Sequence, residues 1–153
     1  MISLIRSFRT ALTLPWRYKW LAIQIFFELT RACIELKIQK FQQLANKLGV
    51  PESESTHELT KDEDHQYQRK LKGLTRRIAE LLPWKCVCFP QAIAAQRLLD
   101  KKNIHCTLYL GLKKENDEMT AHAWVRSGQY IVTGDDGVHE FTIINSFTKR
   151  PKG

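Results

Sequence analysis

Cys88 stands in the run Pro83-Trp84-Lys85-Cys86-Val87-Cys88-Phe89-Pro90-Gln91, directly before an Ala- and Leu-rich stretch. Pro90 suits the first turn of a helix, where a missing N–H has no partner to lose and the fixed φ is already helical. Ala92, Ala95, Leu98 and Leu99 then recur at helical spacing. This places Cys88 at the positive end of a helix dipole, beside N–H groups without intrahelical partners. That setting favours the thiolate, the form in which sulfur attacks a carbonyl carbon. Cysteine is also a small hydrophobe that commonly just fills space, so a nucleophile needs a base nearby.

His122 is the candidate base. In Ala121-His122-Ala123-Trp124-Val125 strand alternation puts His122 and Trp124 on one face and the alanines and Val125 on the other. If the Cys88 helix packs on the histidine face, thiol and imidazole can meet as nucleophile and general base. Asp135 or Asp136, after the next strand, is positioned to orient the imidazole through its second nitrogen. The competing readings are a satisfied, half-buried histidine and an ordinary Gly-Asp-Asp-Gly turn. A metal site built from Cys86, Cys88, His105, Cys106 and His122 is the other use of these side chains. Cys-x-Cys departs from structural zinc spacing and no second knuckle follows, so no metal and no cofactor is expected.

The elements that must position these groups follow from periodicity. Pro15 opens a long helix expected to run through Trp20, Phe27, Cys33 and Phe41 to about Lys47, with Leu48-Gly49 as its stop. Its most apolar piece, Trp20 to Leu29, is much shorter than the roughly 20 residues of a membrane span, so membrane contact is at most peripheral. Pro51 to His65 is polar and acidic and reads as a loop or linker. A second helix is expected from Gln66 to Leu82, with Arg69, Lys70, Lys72, Arg76 and Arg77 away from its apolar side. The Cys88 helix ends at Lys101-Lys102-Asn103. Strands are expected over 105–112, 120–126, 129–133 and 139–147, with turns at 113–118 and 127–128 and a loop at 134–137. Helices first and then a small antiparallel sheet make an α+β fold.

Composition narrows the class. A 43% hydrophobic share over 153 residues is enough for one core, and the +8 charge suits several anionic partners. Nucleic acid is set aside because no aromatic platform or reading motif accompanies the cations. Met1 to Arg9 lacks a signal peptide's apolar core and cleavage site, so the four cysteines read as reduced thiols of a cytoplasmic protein.

Taken together, PW-x-x-x-C-x-x-QA-x-AAQ-x-LL from Pro83, the Leu110-Gly111 pair, AHAWV from Ala121, a Gly turn and IVTG from Ile131 resemble the lasso-peptide leader peptidases. These are stand-alone proteases related to the C-terminal half of the microcin-processing protein, with a transglutaminase-like core. The resemblance implies an N-terminal helical region with an acidic linker over 1–65 and a transglutaminase/papain-like cysteine protease core over 66–153. It maps the nucleophile onto Cys88 rather than Cys86, the general base onto His122 and the third member onto Asp135, with Asp136 as rival. Phe89, Asn103 and Gly134 depart from residues common in the family. The implied activity is removal of a leader peptide from a ribosomally made precursor, assisted by a leader-recognition protein and followed by an ATP-dependent cyclase. Two other functions use the same residues: an inactive peptide-binding scaffold, and transglutaminase-type acyl transfer to an amine.

Overall fold

The computed structural model describes residues 15–149; the Met1–Arg9 stretch read above lies outside them. Helix α1 spans Trp16–Ile38 and opens behind Pro15. It stops short of the expected Lys47, because Gln39 and Lys40 are both extended and α2 restarts at Phe41–Leu48. The break re-aims the chain so that Leu44 and Leu48 enter the core while Ile38 stays exposed. Gly49 ends α2 with φ +123°, and a Cβ there would stand 2.5 Å from the Thr148 carbonyl oxygen. Only glycine permits that approach, and it lets the short strand β1 (Val50–Pro51) pair with the last strand.

Helix α3 (Asp62–Leu81) begins before the expected Gln66. Asp62, Glu63 and Asp64 occupy its first turn, where carboxylates meet the positive dipole end. Helix α4 (Cys88–Lys101) follows, and Asn103 takes the left-handed conformation just past its end. Strands β2 (Cys106–Glu115) and β3 (Glu118–Ser127) form a hairpin longer than the expected 105–112 and 120–126. Its two-residue turn, Asn116-Asp117, has φ of 50° and 65°, matching the right-handed strand twist. Strand β4 is Tyr130–Thr133. A 3-10 turn at Val138–Glu140 replaces the expected start of the final strand, and β5 runs Thr142–Lys149.

Among the described residues the sheet is antiparallel in the order β1-β5-β2-β3-β4. The arrangement is α+β, with the Cys88 helix packed on the small sheet. Leu21, Ile25 and Leu29 of α1 share one apolar core with Ala92, Ile93 and Leu99 of α4 and with Leu108, Val125 and Phe147 of the sheet. The acidic stretch expected as a linker lies on the sheet's other face, held by Arg126, which donates to the Ser55 and Thr56 carbonyls at 3.0 and 3.1 Å.

An ion network joins α1 to α4. Arg97 donates to Glu35 and sits 3.6 Å from Glu28, which also accepts from Lys101 at 2.6 Å. Burial pushes the Glu35 carboxyl up, but the Arg97 and Arg31 hydrogen bonds and charges outweigh it and hold the group below its ordinary range. A carboxyl depressed by folding contributes stability above its unfolded pKa and loses it as pH falls through the folded value. Arg97→Met is expected to cost about 3 kcal/mol at neutral pH, since the buried Glu35 carboxylate loses its main partner while Glu28 keeps Lys101. Urea denaturation measures this, and the deficit relative to wild type should shrink in acid, where the stranded Glu35 carboxyl takes up a proton.

Candidate active site

Cys88 is the first residue of α4, with extended Val87 at the N-cap position. The first helical N–H to find a backbone partner is that of Gln91, which reaches the Val87 carbonyl at 3.4 Å. Pro90 has no N–H, so the amides of Cys88 and Phe89 are the donors that the helix geometry leaves over for an oxyanion. The Gln91 side chain turns back and donates from Nε2 to the Cys86 carbonyl at 2.7 Å, fixing the segment that delivers the nucleophile.

The other thiols have different surroundings. Cys86 is buried with its Sγ 3.6 Å from Cys33 Sγ on α1; burial, then Cys33, pushes it up to about 12. Burial likewise pushes Cys106 up to about 12, inside the core near the Gln96 carbonyl. The neutral thiol is a poor nucleophile. Iodoacetamide at neutral pH is therefore expected to label Cys88 well before Cys86 and Cys106, which should react only on unfolding. Peptide mapping after timed labelling measures the order.

His122 approaches from a different side than strand alternation suggested. Ala123 and Val125 join the core with α4, so the helix packs on the alanine face and not on the histidine face. Trp124 stacks instead on Tyr109 and on His122, with ring centroids 5.4 and 5.9 Å apart. Phe141 covers the imidazole from a second direction at 4.9 Å. Gly111 pairs with His122 across the hairpin and makes room for this stack: a Cβ there would lie 2.8 Å from the Trp124 ring. Strand β4 ends opposite Val125, leaving the β3 edge at His122 free of a strand partner, and the chain after β4 turns past it.

That turn supplies the imidazole's partner. His122 Nε2 lies 2.8 Å from the Gly134 carbonyl oxygen. A carbonyl only accepts, so Nε2 carries the proton and Nδ1 is left as the lone-pair nitrogen. Gly134 has φ +70°, and a Cβ would stand 2.4 Å from the Ala123 carbonyl oxygen. The position is thus closed to other residues without a shift. Asp135, expected to orient His122, accepts instead from Lys72 Nζ at 2.6 Å. The Lys72 hydrogen bond holds its carboxyl below the usual range against a smaller opposing effect of burial. Neither Asp135 nor Asp136 forms a hydrogen bond or ion pair with His122.

Cys88, His122, Gly134, Asp135 and Asp136 nevertheless line one open cleft of about 280 Å³, with Lys72, Arg76 and Glu80 of α3 along its wall. A carbonyl group bound there would have a thiol, an imidazole and a helix start within one space. From the sequence Gly134 stands out only as a departure from the family pattern and Gln91 only as part of the helix motif, and Phe141 is not picked out. Gly134 had a signal, since a glycine closing a strand that follows a catalytic-type histidine marks a close backbone approach. The glutamine and phenylalanine act through tertiary contacts that no local pattern carries. Searches of curated proteins and of solved structures return no match. The family model of the Transglutaminase-like superfamily matches residues 10–146, a span that takes in both Cys88 and His122 as well as helices and sheet. The chain therefore belongs to the transglutaminase-like superfamily, which includes cysteine peptidases and acyltransferases.

Proposed function

We propose that this protein is a cysteine peptidase that removes the leader from a lasso-peptide precursor in the cytoplasm. The observation that carries the reading is the shared cleft of Cys88 at a helix start and His122 with its tautomer fixed. The resemblance of the Pro83–Leu99 and AHAWV motifs to leader peptidases supports the substrate class. In this mechanism Nδ1 of His122 takes the Cys88 proton, and the thiolate attacks the scissile carbonyl. The Cys88 and Phe89 amides hold the oxyanion. The imidazolium then protonates the departing amine, freeing the core peptide's α-amino group and leaving the leader as a thioester on Cys88. His122 next takes a proton from water, whose oxygen attacks the thioester; the leader leaves as a carboxylate and Cys88 is restored.

Substrate recognition is shared, in this reading, with a separate leader-recognition protein, and the freed amine is the group an ATP-dependent cyclase then uses. The test is incubation of a lasso precursor with the protein, with and without that partner, followed by mass spectrometry. Release of leader and core at a single bond is expected, with the partner increasing the rate. An intact precursor under both conditions, with Cys88 alkylatable, would contradict the reading and favour a scaffold.

A further inference from the structure

The outer face of α1 plays no part in the cleft, yet it is the most unusual surface of the molecule. Trp16, Trp20, Ile23, Phe27, Ile34 and Ile38 are all exposed, Trp16 at 80% and Ile38 at 73%. At about 100° per residue these six positions fall within an arc of about 60°. At about 1.5 Å per residue the stripe runs about 33 Å. The opposite side of the same helix, Leu21, Ile25, Leu29 and Ala32, is the side buried in the core. An apolar stripe this long on a face turned away from the core is not a packing requirement of this fold.

The charges of α1 are sorted as sharply as its apolar groups. Its two acids, Glu28 and Glu35, point inward, buried against Arg97 and Lys101. Its cations border the stripe on both sides. At the same angular spacing Lys19 and Lys37 fall along one edge, and Arg31, whose Nε also donates to Glu35 at 3.0 Å, along the other. The result is an aromatic-rich apolar strip with cationic margins and no outward acid on its own helix. This pattern suits a helix lying in the plane of an anionic bilayer. Its indole and phenyl rings enter the headgroup boundary, and its Lys and Arg side chains reach the lipid phosphates. No helix of the described residues is long and apolar enough to cross a membrane.

We propose that the outer face of α1 is a docking surface for an anionic lipid bilayer, which holds the protein at the membrane while the cleft stays open to solvent. Phe41, the first residue of α2, is half exposed and lies 6.4 Å from the Phe89 ring. Lipid binding is read independently of proteolysis, so its failure leaves the peptidase reading untouched and the reverse holds too.

The experiment is co-sedimentation of the full chain with vesicles of equimolar phosphatidylglycerol and phosphatidylcholine, compared with pure phosphatidylcholine. Wild type is expected to bind the anionic vesicles at least about fivefold better, with release as salt screens the cations. Trp20→Glu combined with Phe27→Glu should abolish binding. Lys19→Gln combined with Lys37→Gln, which keeps the apolar strip and the fold, should weaken it severalfold. Circular dichroism verifies that both variants are folded. Equal sedimentation of wild type and the glutamate variant, or no preference for anionic vesicles, would overturn the proposal. So would a concentration-dependent dimer that the glutamate variant dissolves, since the strip would then be covered by a second copy.

Discussion

Cys88→Ala should bring precursor cleavage down to background, a loss of at least about 10⁴-fold by the precedent of deleted protease nucleophiles. Cys33→Ala, Cys86→Ala and Cys106→Ala should each retain most of the activity. The difference follows from placement. Cys88 is the first residue of α4 and lines the cleft with His122. Cys106 is sealed in the core. Cys86 also borders the cleft, but its contribution is through its backbone carbonyl, which accepts from Gln91, and alanine keeps that carbonyl. Cys86→Ala loses only the contact with Cys33, a small packing change. Initial rates with a purified precursor, each variant checked for folding by circular dichroism, give the comparison. A folded but inactive Cys86→Ala beside an active Cys88→Ala would reverse the assignment.

The second large effect is expected at His122, and it separates two accounts of the third catalytic partner. His122→Ala removes the base and should slow turnover by about 10³-fold or more. If a carboxylate fixed the tautomer, as the resemblance implies for Asp135, Asp135→Asn would slow turnover nearly as much. The geometry favours a milder outcome. The Gly134 carbonyl already accepts from Nε2, and Asp135 is occupied by Lys72. We therefore expect Asp135→Asn and Asp136→Asn to stay within about tenfold of wild type, because neither touches the imidazole. Gly134→Ala should be the more damaging change, since its Cβ would collide with the Ala123 carbonyl and displace the accepting oxygen. Measured rates for these four variants decide the point. Loss in Asp135→Asn comparable to His122→Ala would show that the carboxylate swings to the imidazole during turnover.

What the sequence made legible was mostly local. Pro90 and the alanine spacing announced α4, and alternation announced the β2–β3 hairpin, because helix and strand periods act over a few residues. Errors arose where tertiary contacts decide. Nothing in Ile38-Gln39-Lys40 is a strong breaker, yet α1 ends there because Leu44 and Leu48 must turn to the core. The acidic stretch before His65 looked like a linker by composition, whereas Arg126, Thr107 and Thr148 bind its backbone to the sheet. Which face of β3 meets α4 is left open by alternation alone. Small Ala123 looks like room left for His122, but it is instead the contact that lets the helix approach closely. His122 and Cys88 share a cleft only because β4 stops early and Gly134 turns over the open strand edge. That is a property of the assembled sheet and not of any motif.

The central claim is that water is the final acceptor of an acyl group held on Cys88. It is tested most directly by running the cleavage in heavy-oxygen water and weighing both products. The account predicts a leader whose new C-terminal carboxylate carries one heavy oxygen, and a core peptide with a free α-amine and no label. A leader joined to an added amine, with no heavy oxygen taken up, would contradict it and make the protein an acyltransferase.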